Sequence, residues 1–152
     1  MKTLTLIALV PLLAAAFVPA ASAAEPAPED RAAIEACVRD YIEGWYDGDA
    51  VRMERALHPD LAKRTVRTLP EGAGQVLNSL SCSAMIAYTK AGLGTKQKRP
   101  DLAVEVKVLD VQANTASARS VTPDFIDHIH LARIDGRWRI VNVLWEPPAS
   151  GQ

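Results

Sequence analysis

The period of the hydrophobic pattern changes once along this chain, from 3.6 residues to two, and that change restricts the folds open to it. Ile34, Cys37, Val38, Tyr41, Ile42 and Trp45 fall at i, i+3, i+4, i+7, i+8 and i+11, a single apolar stripe down one helix. Near the other end, Val104, Val106 and Val108 alternate with Glu105 and Lys107, the pattern of a half-buried strand. Asp135-Gly136, between two apolar runs, predicts a two-residue type I′ hairpin joining Phe125 to Ile134 with Arg137 to Trp145. Helices come first and an antiparallel meander follows. This order predicts an α+β domain with three N-terminal helices packed on one face of a curved antiparallel sheet.

Punctuation residues divide the segment between these two regions. Glu29 and Asp30 open the first helix, where acidic groups suit the dipole, and Gly44 and Gly48 bracket its end. Asp49 can N-cap a short second helix through Leu57, with Pro59 blocking its continuation. Leu61 to Leu69 reads as a short strand and Pro70 to Gly74 as a turn. Leu77 to Ala91 is expected to form the third helix, with Leu80, Ala84, Ala87 and Tyr88 on its inner face. Gly92 to Pro100 is a basic loop, and Thr115 to Val121 a further strand.

Composition excludes several functions. Lys and Arg number 17 against 18 Asp and Glu, which lacks the clustered positive charge that nucleic-acid binding needs. Two cysteines in 152 residues exclude a disulfide-dense scaffold. Residues 1–23 read as a cleaved signal peptide: Lys2 near the start, an apolar run from Leu4 to Ala20, and the small residues Ala21-Ser22-Ala23. Pro11 and Pro19 interrupt that run, which argues against a membrane anchor. The expected location is therefore the periplasm or outside the cell, with no membrane association after cleavage. Residues 24–30 form a lead-in, 31–147 the domain and 148–152 a tail.

Two segments carry a family resemblance. Ala33 to Arg64 (AIEACVRDYIEGWYDGDAVRMERALHPDLAKR) resembles the opening of the putative lumazine-binding family, a branch of the nuclear transport factor 2-like (SnoaL-like) superfamily. Asp124 to Trp145 resembles its closing hairpin, with Asp135, Gly136, Trp138 and Ile140 forming an Asp-Gly-x-Trp-x-Ile core. The resemblance implies a cone of three helices against a strongly bent antiparallel sheet. It also implies a pocket at the wide end and homodimers formed through the outer sheet face. The superfamily includes isomerases, dehydratases, cyclases, transport factors and assembly domains, so fold does not convert into activity.

Counting pairs outward from the turn sets Leu131 opposite Ile140, His130 opposite Val141 and Asp127 opposite Leu144. One face then carries Asp127, Ile129, Leu131, Arg133, Trp138, Ile140, Asn142 and Leu144, and the other His128, His130, Val141, Val143 and Trp145. If the first face lines the cone, Asp127 is a candidate general base, with Asn142 beside it. The alternative is a surface ion pair of Asp127 with Arg133 or Arg119. Tyr41 and Trp45, on the apolar stripe, point into the cone, where Tyr41 can also serve as electrophile; otherwise both are core. Together with Tyr88 and Trp138 they make a candidate aromatic site for a small apolar or ring-shaped ligand.

His128 and His130 project from one side of a strand, roughly 6.5–7 Å apart, and suit a metal, proton transfer or an ordinary sheet surface. No third ligand is evident, and the sequence implies neither metal nor cofactor. His58, before Pro59, is expected to cap a helix end. Cys37 and Cys82 are either a disulfide between helices one and three or two buried thiols. These readings converge on small-molecule binding. An acid/base enzyme of the isomerase or dehydratase kind and a protein-interaction module remain as alternatives.

Overall fold

The computed structural model describes residues 28–149. The expected signal peptide and most of the lead-in lie outside the described residues, as does the end of the tail. Helix α1 (Pro28–Asp47) presents Ile34, Val38, Tyr41 and Ile42 to the core, each at most 3% exposed. Gly48, at φ +70°, ends it in the left-handed conformation that glycine adopts without a Cβ penalty. Asp49 then N-caps α2 (Ala50–Ala56), its Oδ1 accepting from the amides of Val51 and Arg52 at 3.0 Å.

Strand β1 (Leu57–Thr68) follows directly, and β2 (Gln75–Leu80) returns antiparallel to it. Helix α3 (Cys82–Lys90) is capped by Ser81, whose Oγ accepts from Ala84 N at 3.2 Å. Strands β3 (Glu105–Val111), β4 (Thr115–Val121), β5 (Ile126–Ile134) and β6 (Arg137–Glu146) complete a six-stranded sheet of order β2-β1-β6-β5-β4-β3. Among the described residues, only the β1–β6 pairing is parallel. The sheet is curved and does not close, and the three helices pack on its concave side.

Three local expectations are corrected. The third helix is shorter than its apolar pattern predicts, because Gln75 to Leu80 pair with β1 instead. Asn78, Ser79 and the capping Ser81 favour that break over continuous helix. His58 caps no helix: it lies in β1, where its Nδ1 accepts from Asp60 N at 3.1 Å. Beside it Pro59 offers no amide, and the β1–β6 register slips between Leu57 and Ala62.

The last hairpin carries the correction with most consequence. Its pairs run as counted from the turn up to Leu131–Ile140, then shift: His130 faces Asn142, Ile129 faces Val143 and Asp127 faces Trp145. Val141 is the extra residue of a β-bulge. Beyond it every β6 side chain changes face, so Val143 and Trp145 turn inward while Asn142 and Leu144 turn outward.

Candidate functional site

Between the helices and the curved sheet lies a cavity of about 200 Å³. Six aromatic rings, those of Tyr41, Trp45, Tyr46, Tyr88, Phe125 and Trp145, form much of its wall, with Ile42, Leu80 and Met85 filling in. Phe125 organises the rings. Trp45 and Trp145 meet it nearly edge-on, with centroids 6.5 and 5.4 Å away, the favoured arrangement for the aromatic quadrupole.

Two charged side chains complete the wall, Lys63 and Asp127. Asp127 is 1% exposed and Lys63 6%. Lys63 Nζ donates to Asp127 Oδ1 at 3.0 Å and to the Tyr41 hydroxyl at 2.6 Å. Tyr41 in turn donates to Asp127 Oδ1 at 3.1 Å, and Ser120 Oγ donates to Oδ2 at 3.2 Å. A buried carboxylate is costly unless paired and hydrogen-bonded, and here both conditions are met. Lys63 also stands over two rings, 4.9 Å from the Trp145 centroid and 5.3 Å from that of Tyr41.

The electrostatics follow from this burial. Desolvation lowers the pKa of the Lys63 ammonium, and the charge of Asp127 opposes the shift. Desolvation raises the Tyr41 hydroxyl well above its usual range, reinforced by the Asp127 charge and by the bond Tyr41 donates to it. Tyr41 at neutral pH is thus a neutral hydroxyl whose proton is directed at Asp127.

Outside the wall, a strap holds the rim. Gly94 packs so closely on Trp45 that a Cβ there would collide with the Trp45 carbonyl oxygen. Trp45 Nε1 donates to Gln97 at 3.2 Å, and Lys98 pairs with Asp47 at 2.6 Å. The Tyr46 hydroxyl is anchored by Thr122 and Asp124 at 3.0 and 2.9 Å. One polar atom of the wall residues stands apart. Trp145 Nε1 is the single buried side-chain nitrogen or oxygen without a hydrogen-bond partner among the described residues.

Of the residues singled out in the sequence, the structure brings Tyr41, Trp45, Tyr88 and Asp127 together at the cavity. Trp138 and Asn142 lie elsewhere. Trp138 is buried near the start of α1, where its Nε1 donates to Asp30 at 3.0 Å and Arg133 stacks on its ring. Asn142 is carried outward by the Val141 bulge, accepting from Arg64 at 3.1 Å and lying 3.4 Å from His130 Nδ1. Asp127 makes no surface ion pair with Arg133 or Arg119: it is buried against Lys63, and Arg133 is engaged with Asp30. His128 and His130 are exposed on the outer sheet face, and among the described residues no three His, Cys, Asp or Glu side chains form a metal-sized group. Cys37 and Cys82 are buried free thiols, and Cys37 Sγ contacts the Ala56 carbonyl at 3.5 Å.

Sequence reasoning missed Lys63 and Ser120. A signal existed for both. Lys63 is two residues from Leu61 on a strand, so it shares the inward face. Ser120 continues the inward series Ala116, Ala118 on β4.

The fold is that of a nuclear transport factor 2-like protein. Solved structures agree, at identities that speak to fold alone. An NTF2-like protein of unknown function from Silicibacter pomeroyi is 22% identical, with TM-score 0.61 over 78% of this chain and 96% of that one. One from Shewanella baltica is 19% identical, with TM-score 0.65 over 80% and 96%. A ketosteroid isomerase-like protein from Erwinia carotovora is 16% identical, with TM-score 0.55 over 81% and 99%. No curated protein gives a significant match. The chain belongs to the family described as Putative lumazine-binding, whose profile matches residues 29–146.

Proposed function

We propose that this chain is an exported small-molecule-binding protein, working as a homodimer, whose ligand occupies the aromatic cavity. The observation that carries the binding reading is a largely apolar cavity walled by six rings with one ion pair at its side. Such a space suits a small, flat, mostly apolar molecule. A cavity of about 150 Å³ already admits benzene, so about 200 Å³ takes a compact ring system. The signal-like residues 1–23 support export. Exposed Val66, Leu77 and Leu144 on the outer sheet support pairing through that face.

Tyr41 and Trp45 bind in this reading, with Tyr88 at the rim. A thermal-shift titration with small bicyclic compounds tests it. Binders raise Tm in the unaltered protein, and the rise disappears in Leu80→Trp, which fills the space. Compounds that shift both proteins equally, or neither, count against the cavity.

One observation favours an acid/base role instead, the buried carboxylate of Asp127 in the cavity wall. Its surroundings weigh against that role. The carboxylate already accepts from an ammonium and two hydroxyls, and the Tyr41 proton is already directed at it. An isomerase would lose turnover in Asp127→Asn at preserved ligand affinity, whereas a binding protein shows no turnover to lose.

A further inference from the structure

One donor of the cavity wall has no acceptor among the described residues, and a second has an N–H to spare. Trp145 Nε1 is buried without a partner, whereas the other two indoles are satisfied, Trp45 by Gln97 and Trp138 by Asp30. Lys63 has three N–H groups, of which Asp127 and Tyr41 receive two. Its ammonium stands 4.9 Å from the centre of the Trp145 ring, so the two donors belong to neighbouring side chains of the wall. We infer that the ligand is a neutral, planar ring compound bearing a carbonyl-type oxygen, received by Lys63 Nζ and Trp145 Nε1. The inference rests on the binding reading above and narrows it to a chemical class.

Donor excess argues for an acceptor on the ligand. An unmet buried N–H forfeits its whole hydrogen bond, whereas an oxygen with one bond and an idle lone pair is common. Asp127 Oδ2 and the Tyr41 hydroxyl oxygen, each accepting one bond, are of the second sort. Charge argues for neutrality. Asp127 already neutralises Lys63 at 3.0 Å, and among the described residues the wall holds no second cation. A ligand carboxylate would place a second buried anion beside Asp127, opposed by like-charge repulsion and by desolvation. A carbonyl takes the spare N–H and leaves the ion pair intact. Planarity follows from the ring-lined wall, since aromatic faces and edges pack best on flat rings.

The test is a titration of the protein, ¹⁵N-labelled at its three tryptophans, with 1-indanone, indane and indane-1-carboxylate. The expected result is roughly tenfold tighter binding of 1-indanone than of indane, with the carboxylate weaker than the ketone. Of the three indole N–H signals, the one missing from Trp145→Phe moves furthest downfield with the ketone. In that variant the ketone's advantage over the hydrocarbon falls to about twofold or less. The affinity ratio in the unaltered protein stands as a test even where the variant folds poorly. Equal affinity for ketone and hydrocarbon, or a tighter carboxylate, overturns the acceptor assignment while leaving the cavity a binding site. Binding of none of the three overturns the binding reading and this inference together.

Discussion

Lys63 of β1 and Asp127 of β5 meet inside the apolar cone with Nζ and Oδ1 3.0 Å apart, joining two strands that are not neighbours in the sheet. Both are almost fully buried, and Tyr41 of α1 closes the triangle. The pair therefore ties helix to sheet at the place where the cavity opens between them.

Removing one partner should cost more than removing both. Lys63→Met leaves Asp127 charged and without its cation, and buried pairs broken this way lose about 3–5 kcal/mol. The double variant Lys63→Met/Asp127→Leu should recover most of that loss. Urea unfolding of the two single variants and the double variant measures the coupling. Additive losses would mean that the two side chains are energetically independent.

Alkaline pH should unfold the protein partly through Tyr41. In the folded state its hydroxyl titrates above its ordinary 10.0, so the folded chain keeps a proton that the unfolded chain releases. Stability then falls as pH rises past 10. Lys63 acts in the opposite sense: its lowered folded value makes stability rise with pH up to its ordinary 10.5. Tyr41→Phe removes the first contribution, so above pH 10 its unfolding free energy should fall less steeply than that of the unaltered protein. The slope difference approaches about 1.4 kcal/mol per pH unit. Parallel slopes would contradict the assignment.

Much of this fold is legible in the residues. The α1 stripe, the Asp49 cap and the Asp-Gly turn all act through local chemistry, and each is found where the pattern puts it. Tyr41, Trp45 and Asp127 reach the cavity because helical and strand periods fix their faces. What a period cannot register is an inserted residue. Val141 looks like any other member of an alternating run, yet as the bulge it reverses the faces of Asn142 and Trp145. Trp138 lies away from the cavity for another reason. It does face inward, as counted, but near the Asp30 end of α1, and depth along a cone is set by tertiary packing. Gln75 to Leu80 became strand through pairing with β1, a long-range gain that overrode a weak helical pattern.

Those two corrections yield a prediction. Asn142→Ala should leave 1-indanone affinity within about twofold, because its side chain is on the outer sheet face. Trp138→Phe should also spare affinity while costing about 1–3 kcal/mol of stability, since it strips Asp30 of a buried donor. A tenfold loss of affinity in either variant would return that residue to the site.

The cysteines should be quiet in the folded state. Burial pushes the Cys37 thiol up to about 12 and raises Cys82 as well, which leaves almost no thiolate at pH 8. Ellman's reagent should react slowly with native protein and reveal two thiols per chain on denaturation without reductant. Zero thiols would mean that the two are joined by a disulfide.

The central claim is that the cavity holds a ligand, and native mass spectrometry tests it most directly. The protein is purified from an exporting host without refolding and sprayed with and without 1-indanone. The account predicts a two-chain species that carries a reproducible small neutral mass or takes up one ketone per chain, with both abolished by Leu80→Trp. A chain that arrives empty and takes up no 1-indanone, indane or indane-1-carboxylate at millimolar concentration would contradict it.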